Sequence, residues 1–300
     1  MGYLAPSLGF LAKVEENETN GRQLCYIRKM IDTDFDLLVV GGGINGAAIA
    51  RDAAGRGARV LLVEKDDLAG HTSSASTKLI HGGLRYLEHF EFRLVAEALT
   101  ERERLILSAP HLIRPLQFVL PHDARMRPAW VIHAGLFLYD HLGGHQMLPR
   151  SRRIRQNAST LTLGLPKTFQ RGFTYWDCFG DDSRLVIANA KDAAERGAKI
   201  RPRTLLHQAE RRPWGWSAVI ADQRSGDFDR VTSRVLVNAT GSWASEFLSD
   251  TLQLPQVAPL RLVRGSHIVT RRLYAGEHAY CCRMRIGGSF LSFHMSRNGR

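Results

Sequence analysis

Cysteine is scarce in this chain: Cys25, Cys178, Cys281 and Cys282 are the only four among 300 residues, and two of them are adjacent. That spacing fits neither a metal-ligand pattern nor a disulfide framework, and it suits a reducing compartment. No run approaches the roughly 18 apolar residues of a membrane-spanning helix, and the first residues lack the basic-then-apolar layout of a secretory signal. Internal repeats and low-complexity tracts are missing too. Acidic side chains are in deficit, 29 against 41 lysines and arginines, for a formal charge of +12. Such a balance favours anionic partners, whether phosphorylated metabolites, acidic lipid headgroups or nucleic acid. The basic cluster RSRRIR at residues 150–155 is the strongest pointer to nucleic acid, but it carries no interleaved aromatics and no reading motif, so no nucleic-acid partner is expected.

With 44% of its residues hydrophobic, the chain can bury a sizeable core. Residues 1–30 hold no sustained period and read as a disordered leader, with Met30 as the expected start. From Asp36 the string DLLVVGGGINGAAIARDAAGRGARVLLVEK predicts strand, glycine turn, helix and second strand, the order of a parallel crossover unit. Helical spacing predicts helices over 92–107 and 183–196, the second capped by Asp181 or Asp182 and ended by Gly197. Strands are expected over 198–201, 216–221 and 231–237, with Ser225-Gly226-Asp227 as the turn of a small meander leading back to the first sheet. The most apolar stretch, 129–142, is flanked by Arg125, Arg127, Arg150, Arg152 and Arg153, and reads equally as a buried helix or as one resting on an anionic membrane surface. His141 and His145 share helical spacing, but two glycines intervene and a third ligand is lacking, so no metal site is expected.

Gly41, Gly43 and Gly46 form G-x-G-x-x-G after an apolar strand and at the start of a helix. The first glycine allows the tight turn, the second lets a pyrophosphate approach the backbone, and the third lets helix and strand pack closely. The helix N-terminus then presents unpaired N–H groups and the positive end of its dipole to the phosphates. Glu64 closes the second strand where a carboxylate should accept from an adenosine ribose. This element alone does not separate FAD from NAD.

Two later segments do. TSSASTKLIHGGLRY at residues 72–86 and VLVNATGSW at 235–243 supply small hydroxyls and glycines that an extended cofactor needs beyond the first crossover unit. Together with RPAWVIHAGLFLYDHLG, DDSRLVIANA and RLVRGSHIV, these strings resemble FAD-dependent glycerol-3-phosphate dehydrogenase, within the D-amino-acid-oxidase-like flavoproteins. The resemblance covers roughly residues 34–280; KLIHGGLRYLE with RGSHIV is its most specific part.

The resemblance implies an α/β fold: a doubly wound, Rossmann-like FAD-binding domain over 31–114 and 168–253, interleaved with an α+β substrate domain over 115–167 and 254–280. It implies hydride transfer from C2 of glycerol 3-phosphate to FAD, giving dihydroxyacetone phosphate, with electrons passed to quinone. It implies cofactor contacts from Thr72, Ser73, Ser74, Ser76, Lys78, Gly82, Gly83, Leu84, Leu205, Ala239, Thr240, Gly241 and Trp243, besides the fingerprint residues. Arg85 and Tyr86 resemble substrate-contacting residues, and His267 a group near the reacting hydroxyl. Taken singly, Arg85 also reads as a surface cation, Tyr86 as a core aromatic and His267 as a strand histidine. A cytoplasmic protein is the expected setting; a peripheral place on the inner face of the cytoplasmic membrane and a homodimer stay open.

The family's chain is longer, and strings like Ser-Gly-Val-Arg-Pro and Gly-Gly-Lys-Leu-Thr in its second half are not found here, which leaves the expected phosphate clamp incomplete. Residues 281–300 (CCRMRIGGSFLSFHMSRNGR) lack acidic residues and any strand or helix period. They are expected to be translated out of frame, since synonymous codons in a shifted frame can encode a polar turn and a strand ending in Ile-Pro-Tyr-Glu. A catalytically silent FAD-binding fragment is therefore the competing expectation.

Overall fold

The computed structural model describes residues 33–283 and 290–293, apart from 124–125, 145–146, 156–160, 162–164, 166–168, 170, 256–259, 264, 272–273 and 275. The expected leader, Arg125, His145 and most of the expected out-of-frame tail lie outside these residues. β1 (Phe35–Val40) and β2 (Val60–Glu64) are apolar but for Asp36 and the terminal Glu64, as strands covered on both faces require. Between them runs α1 (Ile44–Gly55), whose buried Ala47, Ala50 and Ala54 let the helix lie close to the sheet.

The chain continues through a hydroxyl-rich loop to β3 (Leu79–Ile80), a 3-10 turn (Leu84–His89), α2 (Phe92–Ser108), β4 (Ile113–His122), α3 (Ala129–Leu142), β5 (Arg152–Arg155) and β6 (Arg171–Gly180). α4 (Asp182–Glu195), β7 (Lys199–Pro202), β8 (Thr204–Arg212), β9 (Gly215–Asp222) and β10 (Phe228–Asn238) follow, with β11 (Ala279–Arg283) and β12 (Phe290–Phe293) last.

The first sheet has the order β7-β2-β1-β10-β9-β8. β1 is parallel to β2 and β10, and β2 to β7; β8, β9 and β10 form the expected antiparallel meander. β10 serves both parts: Phe228–Ser233 pair with β9 and Ser233–Asn238 with β1. The period-2 alternation of side chains splits the strands between two cores. Val39, Val60 and Leu62 pack with Ala50, Ala54 and Ala193 under α1 and α4, while Leu38, Val40, Leu61 and Val63 meet Leu206, Trp216 and Ile220 of the meander. Each such fully buried aliphatic side chain stabilises the fold by about 1.5–3 kcal/mol relative to exposure. α4 begins as the sequence predicts, with the Asp181 side chain accepting from the Arg184 amide at 3.2 Å.

The second sheet has the order β12-β11-β4-β6-β3, with β5 beside β6. Leu116, Phe118, Leu120, Phe173 and Tyr175 on one face pack against Val95 and Leu99 of α2 and Leu136 and Tyr139 of α3. Because β6 belongs here, the division between the sheets falls near Asp181, not at the expected residue 168. Although residues 281–300 show no strand period in the sequence, Cys281–Arg283 finish β11, which lies parallel to β4 and antiparallel to β12. A backbone beside an open strand edge satisfies its hydrogen bonds by pairing, whatever its side-chain period. In α3, Leu136 and Tyr139 are buried while Trp130 and Phe137 are 71% and 57% exposed, so burial accounts for only one side of this apolar helix. Among the described residues, no helix is long and apolar enough to cross a membrane.

Candidate functional site

The end of β1 turns sharply at Gly41, whose φ of +115° disfavours any residue with a Cβ. α1 starts so close to this turn that a Cβ built at Gly46 would fall 1.8 Å from the Gly41 carbonyl oxygen. Gly43 is different: a Cβ there would meet only the Ser73 hydroxyl, at 3.0 Å, so the backbone at the head of α1 faces open space. Ser73 Oγ accepts from the Ile44 amide at 3.0 Å and sets the hydroxyl loop beside the positive end of the helix dipole. At the end of β2, the buried Glu64 carboxylate accepts from the Gly42 amide at 2.6 Å and the Asp66 amide at 2.9 Å. A carboxylate has about four acceptor positions, so two fixed amides orient Glu64 and leave capacity for ribose hydroxyls.

The rest of the loop is anchored to α4. Ser76 Oγ donates to Asp182 at 2.8 Å, and Lys78 pairs with Asp182 while donating to the Ser74 carbonyl at 3.2 Å. Burial alone would raise the Asp182 pKa, but the hydrogen bonds from Lys78 and Ser76 outweigh it and hold the carboxyl below its ordinary value. Thr72 and Ser74 form a 3-10 turn with Ser73, and Ser74 Oγ donates to the His71 carbonyl at 3.0 Å. From the far end of the chain, the Ala239 amide donates to the Val40 carbonyl at 2.8 Å, which sets the Asn238-Ala239-Thr240-Gly241 turn against Gly41. Thr240 Oγ1 donates to Asn238 at 2.6 Å. Trp243 closes the same end: the Lys65 ammonium lies 4.6 Å from its ring centroid and the His71 ring 4.8 Å. Leu205 is half-buried in β8 opposite Ala221. The Glu64, Asp66 and His71 ligand atoms lie within 4.8 Å of one another, a spacing that the Glu64 amide bonds and a 2.7 Å His71–Asp66 contact account for without a metal.

After β3 the chain makes a second glycine turn. The Gly83 amide donates to His81 Nδ1 at 3.0 Å, and the Tyr86 amide to the Gly83 carbonyl at 2.8 Å. In the neutral imidazole this leaves the ring proton on Nε2. The turn borders a cavity of about 530 Å³ lined by His81, Arg85, Tyr86, Glu88, Arg127 and Asp177, among mostly apolar neighbours that include Leu84. His81 was not singled out in the sequence, although it stands in the KLIHGGLRY string; the double glycine beside it drew attention to backbone shape alone. His267 is exposed on an irregular stretch and does not line this cavity. Burial pushes the Cys178 thiol up to about 12 and that of Cys281 up to about 11, so neither offers a thiolate nucleophile near neutral pH.

The family model described as FAD dependent oxidoreductase matches residues 36–298. The chain belongs to that family. It is 53% identical over 246 residues to a glycerol-3-phosphate dehydrogenase of Pseudomonas aeruginosa, covering 82% of this chain and 47% of the relative. It is 49% identical to a D-erythritol 1-phosphate dehydrogenase of Brucella abortus, with 82% and 49% covered. The chain thus spans about half the length of the curated relatives it matches. Among solved structures, the glycerol-3-phosphate dehydrogenase of Bacillus halodurans complexed with FAD is similar at 27% identity and a TM-score of 0.55, over 76% of this chain and 38% of that one. The FAD-binding α/β fold is therefore that of the family, and the residues present fit the cofactor: open backbone over Gly43, a fixed carboxylate at Glu64 and hydroxyls at residues 72–76.

Proposed function

We propose that this chain forms the FAD-binding part of a dehydrogenase that oxidises sn-glycerol 3-phosphate to dihydroxyacetone phosphate. The observation that carries the reading is the second glycine turn, which puts Arg85, Tyr86 and His81 on one cavity directly after the hydroxyl loop. Gly41 to Gly46 and Glu64 would hold the pyrophosphate and ribose of FAD, and the flavin, when bound, supplies the hydride acceptor. The Arg85 guanidinium suits a phosphate, offering paired N–H donors in a rigid plane. His81, with its proton on Nε2, would donate to a substrate oxygen, and Tyr86 would close the apolar wall. His267, exposed on its irregular stretch, takes the role of proton acceptor that the family resemblance gives it.

We extend the reading to quinone as electron acceptor and to the inner face of the cytoplasmic membrane as the place of work. The exposed Trp130 and Phe137 of α3, just after the basic Arg127, support this. Identity to an erythritol-phosphate enzyme makes the polyol the finer question and the phosphate the common feature. The test is to purify the chain, record bound flavin, and add each polyol phosphate without oxygen. Bleaching of the flavin by glycerol 3-phosphate ahead of erythritol 1-phosphate is expected. Retained flavin that neither compound bleaches would refute the dehydrogenase reading in favour of a binding module.

A further inference from the structure

The interior between the second sheet and its helices holds an unusual set of polar groups for an otherwise apolar core. Arg102 of α2, Tyr139 of α3 and Asp177 of β6 are each buried, as is Glu103. Arg102 donates to Asp177 Oδ1 at 2.8 Å, to the Trp176 carbonyl at 3.2 Å and to Glu103 at 2.9 Å. Tyr139 donates to the same Asp177 at 2.8 Å and accepts from the Gly82 amide at 2.7 Å. Burial and the Asp177 charge push the Tyr139 phenol well above its ordinary pKa, so it keeps its proton and the direction of the chain is fixed: amide to phenol to carboxylate, with the guanidinium opposite.

Burying ionised groups is costly, and a core of aliphatic residues would stabilise the fold as well or better. What this cluster adds is a fixed acceptor for one amide. Gly82 has no slack on that side, since a Cβ there would lie 2.8 Å from the Tyr139 oxygen. The Gly83 and Tyr86 amides are bonded within the same turn, so Arg85 stands on a base fixed on both sides. We propose that Tyr139 is a positioning residue: held by Asp177 and Arg102, its phenol oxygen fixes the Gly82 amide and thereby sets where Arg85 meets the anionic group of the substrate. This rests on the reading of Arg85 given above.

Without the phenol oxygen, the nearest acceptor for Gly82 is Asp177 Oδ1 at 3.4 Å. Reaching the ordinary 2.9 Å would draw the turn inward by about 0.5 Å, which leaves the fold intact and displaces Arg85. The test uses the FAD-loaded chain titrated with dihydroxyacetone phosphate, which cannot reduce the flavin, followed by the shift in flavin absorbance. Tyr139→Phe should weaken binding about tenfold, since sub-ångström misplacement of a binding group carries penalties of this order. Affinity for FAD, whose pyrophosphate and ribose contacts lie on the other sheet, should fall clearly less than that for dihydroxyacetone phosphate. Arg85→Ala should weaken binding at least as much, and adding Tyr139→Phe to it should change nothing further.

Independent, multiplying losses in the double variant would overturn the proposal. So would loss of FAD retention or of folding in Tyr139→Phe, which would make the residue a stabiliser of the fold. If Arg85→Ala alone has no effect, the substrate reading of Arg85 falls, and a chain that binds no dihydroxyacetone phosphate removes both.

Discussion

Gly43 and Gly46 belong to one fingerprint yet should fail in opposite ways when each is changed to alanine. Gly43 has φ −79° and ψ −174°, a backbone that alanine adopts readily, and its added methyl would meet only the Ser73 hydroxyl, which relieves the contact by giving a few tenths of an ångström while staying within reach of the Ile44 amide. Alanine is a poorer N-cap than glycine by about 0.5 kcal/mol, which about 0.4–1 kcal/mol of lost unfolded-chain freedom offsets. The melting temperature of the cofactor-free chain should therefore hardly move. The same methyl occupies the space a pyrophosphate must enter, and losing one amide–phosphate bond costs about 1.5–3 kcal/mol, a roughly 10- to 150-fold weaker affinity for FAD. At Gly46 the methyl would fall 1.8 Å from the Gly41 carbonyl oxygen, so α1 has to move off the sheet. Overpacking of this kind costs about 1–3 kcal/mol, which at about 2–4 °C per kcal/mol lowers the melting temperature by roughly 2–12 °C. Flavin fluorescence titrations and thermal melts of the apoproteins measure the two effects separately. Undiminished FAD affinity in Gly43→Ala, or equal melting losses in both variants, would refute the assignment of separate tasks.

Glu64→Gln leaves one acceptor oxygen where two amides now bond, so FAD affinity should drop about tenfold, the effect of one unsatisfied buried donor; equilibrium dialysis giving an unchanged value would remove Glu64 from the ribose site. Asp182 carries a depressed pKa in the folded chain, so its pairing with Lys78 is in place above the ordinary carboxylate value and is lost as pH falls through the depressed one. Melting curves of the unaltered chain should accordingly worsen on acidification more steeply than those of Asp182→Asn, and parallel curves would refute the anchoring role of this pair. Replacing both Trp130 and Phe137 with serine should abolish co-sedimentation with anionic phospholipid vesicles; full retention on the vesicles would refute the membrane role of α3.

The first crossover unit is legible in the sequence because it is local. Gly41, Gly43, Gly46 and Glu64 lie within one strand-helix-strand stretch, and each is constrained by backbone geometry that few other residues meet. The helices at α2 and α4 were legible for the same reason, their apolar spacing and the Asp181 cap being visible within a few turns. β4 and β6 were not. β4 holds Pro115 and Pro121, lacks strict alternation, and gains its register from β6 and β11, both distant in sequence. The polar cluster was hidden by composition: Tyr139 sits in the most apolar stretch of the chain, and nothing local says that its hydroxyl meets Asp177 and Gly82. His81 was overlooked because its ring is placed by the turn it precedes, a relation among neighbours that no periodicity encodes.

The place of β10 beside β1 bears on how the protein comes into being. Asp34, at the mouth of β1, is bonded to Thr232, 198 positions later, and the wall behind Gly41 is the Ala239 carbonyl. A nascent chain that has emerged only through α4 can fold β1, α1 and β2, but one edge of β1 stays bare until translation has passed Ala239. Distant pairing of this kind is slow and leaves an unsatisfied strand edge open to other chains meanwhile. The nucleotide pocket therefore cannot close until residue 239 has been made, and shortage of FAD should show itself as aggregation of newly made protein.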